Sequence, residues 1–159
     1  SQTYLMQIIP LLAPYVNSYR RITVDGQSAP ANFEWATDIR TTGLRVPHSG
    51  PEARRLENRV IGMDCNPYIA IAASLACGYL GMLNNVEPRA EATKEVWEAD
   101  VPLPASLREA LEHFEEATEI RALLGEEFCS LYEQIKQAEN EEYQREISPW
   151  ERRHLLLNV

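Results

Sequence analysis

No lysine occurs among the first 86 residues, cysteine appears three times in the whole chain, and basic side chains are outnumbered 15 to 24 by acidic ones. Each scarcity excludes something. Cys65, Cys77 and Cys129 are odd in number and too widely spaced for a zinc or redox motif, so reduced, mostly buried thiols and a cytosolic setting are expected. A net charge of -9 argues against nucleic acid as a partner. Long apolar runs are missing as well. The longest uncharged stretch, Cys65 to Asn85, is broken by Pro67, Gly78 and Gly81, and the amino end lacks signal-peptide order, so neither a membrane span nor export is expected.

What is present is an asymmetry. Residues 1–86 hold seven arginines against six acidic residues, whereas residues 87–159 hold eight basic against eighteen acidic ones. All seven arginines fall between Arg20 and Arg59. Arginine without lysine suits two-pronged holding of carboxylates or phosphates. The alternative is an exposed ladder of salt bridges. A 159-residue chain that is 45% hydrophobic fits one domain with a real core.

The chain opens on a helical piece, QTYLMQIIPLLAPYV, ended or bent by Pro10 and Pro14. YRRITVDGQSAPAN reads as an exposed loop. FEWAT, TTGLRVP and ARRLENRVIG then read as short strands of an antiparallel sheet. In an extended ARRLENRV, Arg55, Glu57 and Arg59 share one face, while Leu56 and Val60 take the other. A carboxylate between guanidiniums stays ionised, as a hard cation requires of its ligand. Arg40 and Arg45, on or beside the preceding strand, extend the cationic face.

Asn66-Pro67 has the order of a cap and first-turn proline, and the apolar helix after it, residues 67–83, is expected to lie buried beneath the sheet. PASLREALEHFEEATEIRALLG predicts one amphipathic helix with core positions 107, 110, 111, 114, 117 and 120 and a stop at Gly125. A second helix would bury Phe128, Leu131, Tyr132, Ile135 and Ala138. Ser148, Pro149 and Glu151 start a third, which runs into an apolar terminus at Val159. His113 and His154 have no metal-ligand spacing. The expected fold is α+β, with sheet and buried helix in residues 1–85 and a helical part in 86–159.

In order and spacing, NSYRRI (17–22), APANFEWATDIRTTGLRVP (29–47), ARRLENRV (53–60) and NPYIAIAA (66–73) resemble the carboxy-terminal part of the glutamine synthetase catalytic domain. The tail, LGEEF to ISPWERRHLLLNV, is similar to the branch containing gamma-glutamylputrescine synthetases. The resemblance implies a ligase that uses ATP and magnesium or manganese to activate glutamate as gamma-glutamyl phosphate, which ammonia or an amine then attacks. It implies that Arg21 and Arg59 bind glutamate, and that Arg40 and Arg45 meet nucleotide phosphates or the transferring phosphoryl group. Arg55 would lie near the nucleotide and Glu57 would ligate the metal. A cytoplasmic homo-oligomer is implied for the full-length protein.

Two departures qualify the carry-over. VDGQSAP replaces the family's PGYEAP, so Ser28 stands where the loop glutamate would, and an organic amine becomes a natural acceptor, with Asp25 or Gln27 as other participants. Glu52 replaces a lysine that some members place before ARR. The family's paired metal-binding glutamates, Asn-Gly loop and His-x-His segment do not occur in this sequence, so the isolated chain is expected to be inactive. The competing expectation is a non-catalytic anion-binding or assembly module derived from the same domain.

Overall fold

The computed structural model describes residues 2–22, 29–97 and 102–156, which leaves Asp25, Gln27, Ser28 and Val159 outside the described residues. The amino end folds as α1 (Gln2–Leu5), a 3-10 turn (Met6–Ile8) and α2 (Ile9–Leu12), with Pro10 in the first turn of α2. Proline is accepted there because first-turn N–H groups have no partner within the helix. Leu5, Ile8, Ile9, Leu11 and Leu12 are almost wholly buried and form the hub of the core. A second 3-10 turn, Val16–Arg20, follows.

Three short strands, β1 (Trp35–Thr37), β2 (Leu44–Val46) and β3 (Glu57–Asn58), form a sheet in that order. The wholly antiparallel arrangement expected from the sequence needs correction: β2 and β3 are antiparallel, but β1 and β2 are parallel. The chain doubles back between them. Asp38 takes a left-handed backbone at φ 61° and donates its N–H to Val46 O at 3.0 Å, starting a loop that returns to the same end of β1. The buried amide of Asn32 fastens that loop, donating to Thr41 O (2.9 Å) and accepting from Gly43 N (3.1 Å) and Glu34 N (3.0 Å). The outer side of β1 is covered by residues 89–92, through Ala92 N to Trp35 O and Trp35 Nε1 to Arg89 O.

Helix α3 spans Pro67–Leu83, with Asn66 Oδ1 accepting from Tyr68 N at 3.0 Å. It packs on α1, α2 and α5 (Thr118–Leu124) rather than lying beneath the sheet, which it meets through Asn58 Nδ2 and Ser74 Oγ at 3.2 Å. Only one face, carrying Ala70, Ala73, Ala76, Cys77, Leu80 and Gly81, is buried. Small side chains on that face let the backbones approach closely. Asn66→Ala is expected to cost about 1 kcal/mol through the lost cap, roughly 2–4 °C in a thermal melt followed by circular dichroism.

The expected helix over 106–124 is two: α4 (Leu107–Glu115) and α5, broken where Thr118 N turns back to Glu116 O at 2.9 Å. All six expected core positions are nevertheless buried. Ser106 caps α4, but the Glu109 carboxylate accepts from Ala105 N instead of closing a reciprocal box. The long helix α6 (Glu126–Arg145) departs further from expectation. Its packed side carries Cys129, Glu133 and Lys136 with Tyr132 beside them, while Leu131 and Ile135 are about half exposed, at 58% and 48%. Charge partners explain the rotation: Arg121 reaches Glu133 at 2.8 Å, and the Lys136 ammonium lies 4.3 Å from the Tyr15 ring centre. In α7 (Pro149–His154) the expected Ser148–Glu151 capping box is present in both directions.

Candidate functional site

Strand β3 carries Glu57, and its register opposite Arg45 on β2 sets the centre of the site. Arg45 Nη1 donates to Glu57 Oε2 at 3.0 Å, and Arg55 Nε stands 3.7 Å from Glu57 Oε1. Glu57 therefore faces the same way as Arg55, as the alternation predicts. Leu56 turns to the other side, where it lines a groove with Gly78 and Met82 of α3. Val60 is fully buried.

The remaining predicted residues gather around this strand. Arg59 Nε donates to the backbone carbonyl of Arg40 at 3.1 Å, tying the β3 exit to the loop after β1. Arg21, just past the second 3-10 turn, donates through Nη2 to Val60 O at 2.9 Å. The side chains of Arg45, Arg55 and Glu57 are thus in direct contact, whereas Arg21, Arg40 and Arg59 join through backbone carbonyls.

Asp38 was not foreseen as part of the site. Its carboxylate binds the second Nη of Arg45, so one guanidinium is shared between Asp38 and Glu57. The Arg45 hydrogen bond holds the Asp38 carboxyl below its ordinary range. Both carboxylates in turn raise the Arg45 guanidinium, Glu57 first. The signal lay in DIRTTGLR, where a carboxylate precedes the second arginine by seven positions, but only the doubled-back loop brings the two together. Ser18 and Asp64 carry no signal in the sequence: the Ser18 hydroxyl donates to Asp64, fixing the turn that leads into α3 beside Arg21.

Chemically, this is a cluster of guanidinium groups with two carboxylates, Asp38 and Glu57, set into it. The Nε–H of Arg45 is buried without an acceptor, an unmet donor of the kind an oxyanion satisfies. For a divalent cation, Glu57 fits as a single oxygen ligand. Among the described residues no group of three or more His, Cys, Asp or Glu side chains could hold a metal, so a magnesium ion here would complete its shell from phosphates, water and other carboxylates.

A family model described as the glutamine synthetase catalytic domain matches residues 2–155. Type-1 glutamine synthetase 2 of Dictyostelium discoideum is 36% identical over 92% of the chain, which covers 29% of that protein. The gamma-glutamylputrescine synthetase of Escherichia coli (strain K12) is 37% identical, with 94% of the chain and 32% of the relative covered. Glutamate–isopropylamine ligase of a Pseudomonas species is 38% identical, with 87% and 31% covered. Among solved structures, a GmaS/ADP complex superposes with a TM-score of 0.86 at 27% identity, over 97% of this chain and 37% of that one. The chain spans about a third of the length of the curated relatives it matches.

Proposed function

Because the chain belongs to the glutamine synthetase family, within its catalytic domain, we propose that it carries part of the site of an ATP-dependent ligase joining glutamate to ammonia or an organic amine. The observation that carries this reading is the contact of Arg45 and Arg55 with Glu57, flanked by Arg40, Arg59 and Arg21. Phosphoryl transfer asks of a protein chiefly positioned positive charge, and that is what this surface concentrates. Arg45 and Arg55 hold nucleotide phosphates, and Arg40 meets the transferring phosphoryl group. Arg21 and Arg59 hold the glutamate carboxylates. Glu57 is one ligand of a shared magnesium or manganese ion, which when bound neutralises phosphate charge.

The acceptor is an organic amine rather than ammonia alone. Ser28 stands where the family's loop carries a carboxylate, and relatives named for putrescine, ethanolamine and isopropylamine align with the chain. Activity belongs to a complete domain in a cytoplasmic homo-oligomer, and the chain alone turns over nothing. No helix among the described residues is long and apolar enough to cross a membrane.

Calorimetric titration of the chain with magnesium-ATP tests the reading. Arg45→Ala is expected to weaken binding about 10- to 100-fold, the loss of a charge-assisted hydrogen bond or two. Equal affinity for the two proteins would overturn the assignment. Phosphate release above background from the unaccompanied chain, given ATP, glutamate, magnesium and a panel of amines, would overturn the claim of inactivity.

A further inference from the structure

Arg21 and Asp64 carry opposite charges close together, yet among the described residues no ion pair joins them. Each is tied to an uncharged group instead. Arg21 Nη2 donates to Val60 O at 2.9 Å, and Asp64 Oδ2 accepts from the Ser18 hydroxyl. Ser18 is only 3% exposed, and its Oγ also accepts from Tyr15 N at 3.1 Å, so its single proton is committed to the carboxylate. The second carboxylate oxygen, Oδ1, takes no hydrogen bond among the described residues. Arg21 likewise keeps N–H groups beyond the one that Val60 uses.

Gly62 makes this arrangement possible. A Cβ there would lie 2.1 Å from Asp64 Oδ1 and 3.1 Å from Arg21 Nη2, so both polar atoms crowd the space where a side chain would stand. The two charges therefore sit within the ~4–6 Å over which opposite charges favour one another. Gly62 is itself buried and donates its N–H to Leu12 O at 2.9 Å, which anchors the position to the core. Asp64 is exposed and Arg21 half-buried, so a ligand can reach both. Their charges choose its class. A phosphate or a plain dicarboxylate would meet Asp64 as a like charge, and a plain amine would meet Arg21 in the same way. A carboxylate and an ammonium borne on one carbon satisfy both at once through charge-assisted hydrogen bonds.

We propose that Asp64, set by Ser18 and Gly62, receives the α-ammonium of the amino-acid substrate and thereby selects an α-amino acid over a plain dicarboxylate. The inference rests on the functional reading above, in which Arg21 holds a carboxylate of glutamate, and it adds the group that recognises the amine of that same molecule. Arg21 then takes the α-carboxylate. Arg59, on the Glu57 side of Val60, is left for the side-chain carboxylate.

The experiment titrates the chain with L-glutamate and with glutarate, which lacks only the ammonium, and follows both by ligand-observed NMR. L-glutamate is expected to bind at least tenfold more tightly, the worth of one charge-assisted hydrogen bond. Asp64→Asn keeps an oxygen for the Ser18 hydroxyl, so its circular dichroism should be unchanged, while the preference for L-glutamate over glutarate should fall to threefold or less. Gly62→Ala, which pushes the carboxylate aside, should have the same effect as an independent second variant. Arg21→Ala should weaken both ligands. A merely structural Asp64 would lower both affinities alike and leave their ratio intact. That outcome, no preference in the unaltered chain, or no binding of either ligand would each overturn the proposal. The two readings fail separately. Arg45-dependent magnesium-ATP binding without an Asp64-dependent preference sinks the ammonium site alone. The preference without Arg45-dependent nucleotide binding sinks the ligase reading and leaves an amino-acid site.

Discussion

Arg121→Ala is expected to destabilise the chain by about 3–5 kcal/mol, the cost of breaking a buried ion pair by removing one partner. Arg121 and Glu133 are each only 8% exposed. The guanidinium donates to Glu133 at 2.8 Å, to Glu126 through two nitrogens and to Ser130 at 3.0 Å, and it lies 5.5 Å from the centre of the Phe114 ring. Without it, among the described residues Glu133 keeps only the uncharged Gln137 amide as a hydrogen-bond partner. A fall of roughly 6–20 °C in the melting temperature should follow for a domain of this size. Glu126→Ala should cost less than about 1 kcal/mol, because that side chain is 65% exposed and its pair is screened by water. Calorimetric melts giving equal losses for the two variants would refute the ranking.

Gly43→Ala is the second large effect, and it reaches the site. A Cβ at position 43 would lie 2.1 Å from the backbone oxygen of Asn32 and 3.2 Å from Phe33 Cα. Neither contact is with a flexible side chain, so the backbone itself must move. The cost is about 3 kcal/mol, near the upper end for overpacking. Gly43 N also donates to Asn32 Oδ1, and Gly43 O accepts from Arg59 N at 2.8 Å. Displacing it therefore moves both Arg45, two residues on, and Arg59. Magnesium-ATP affinity should fall together with the melting temperature. Arg45→Ala should also lower affinity, with a thermal loss of its own, because the Arg45 side chain is only 15% exposed and bridges Asp38 and Glu57. A Gly43→Ala protein with unchanged stability would refute the close-approach argument.

Some of this was legible in the sequence because local chemistry decided it. Ser148 with Glu151, Asn66 with Pro67 and the stop at Gly125 are set by backbone groups within a few residues, and they formed as expected. The 107–120 periodicity named the apolar positions on the buried side of α4 and α5, which on α5 also takes in Arg121. Alternation through 55–60 likewise put Glu57 beside Arg55. What escaped depends on distant partners. The buried side of α6 was misread because Arg121 and Tyr15 pull Glu133 and Lys136 inward, at the expense of Leu131 and Ile135. Parallel pairing of β1 with β2 rests on the left-handed Asp38 and on the Asn32 amide, neither of which leaves a pattern along the chain.

The hub formed by Leu5 to Leu12 sets the order of events during synthesis. Its roof includes Leu107, Phe114 and Ile120, and Tyr132 fastens it by donating to Pro10 O across 122 positions. These contacts are among the most non-local a chain this size can make, which slows folding relative to a bundle of neighbouring helices. At about 5–20 residues per second, a ribosome needs roughly 6–25 s to travel from Pro10 to Tyr132. For that interval the aliphatic cluster can be covered by α3 but lacks the roof that α4, α5 and Tyr132 supply.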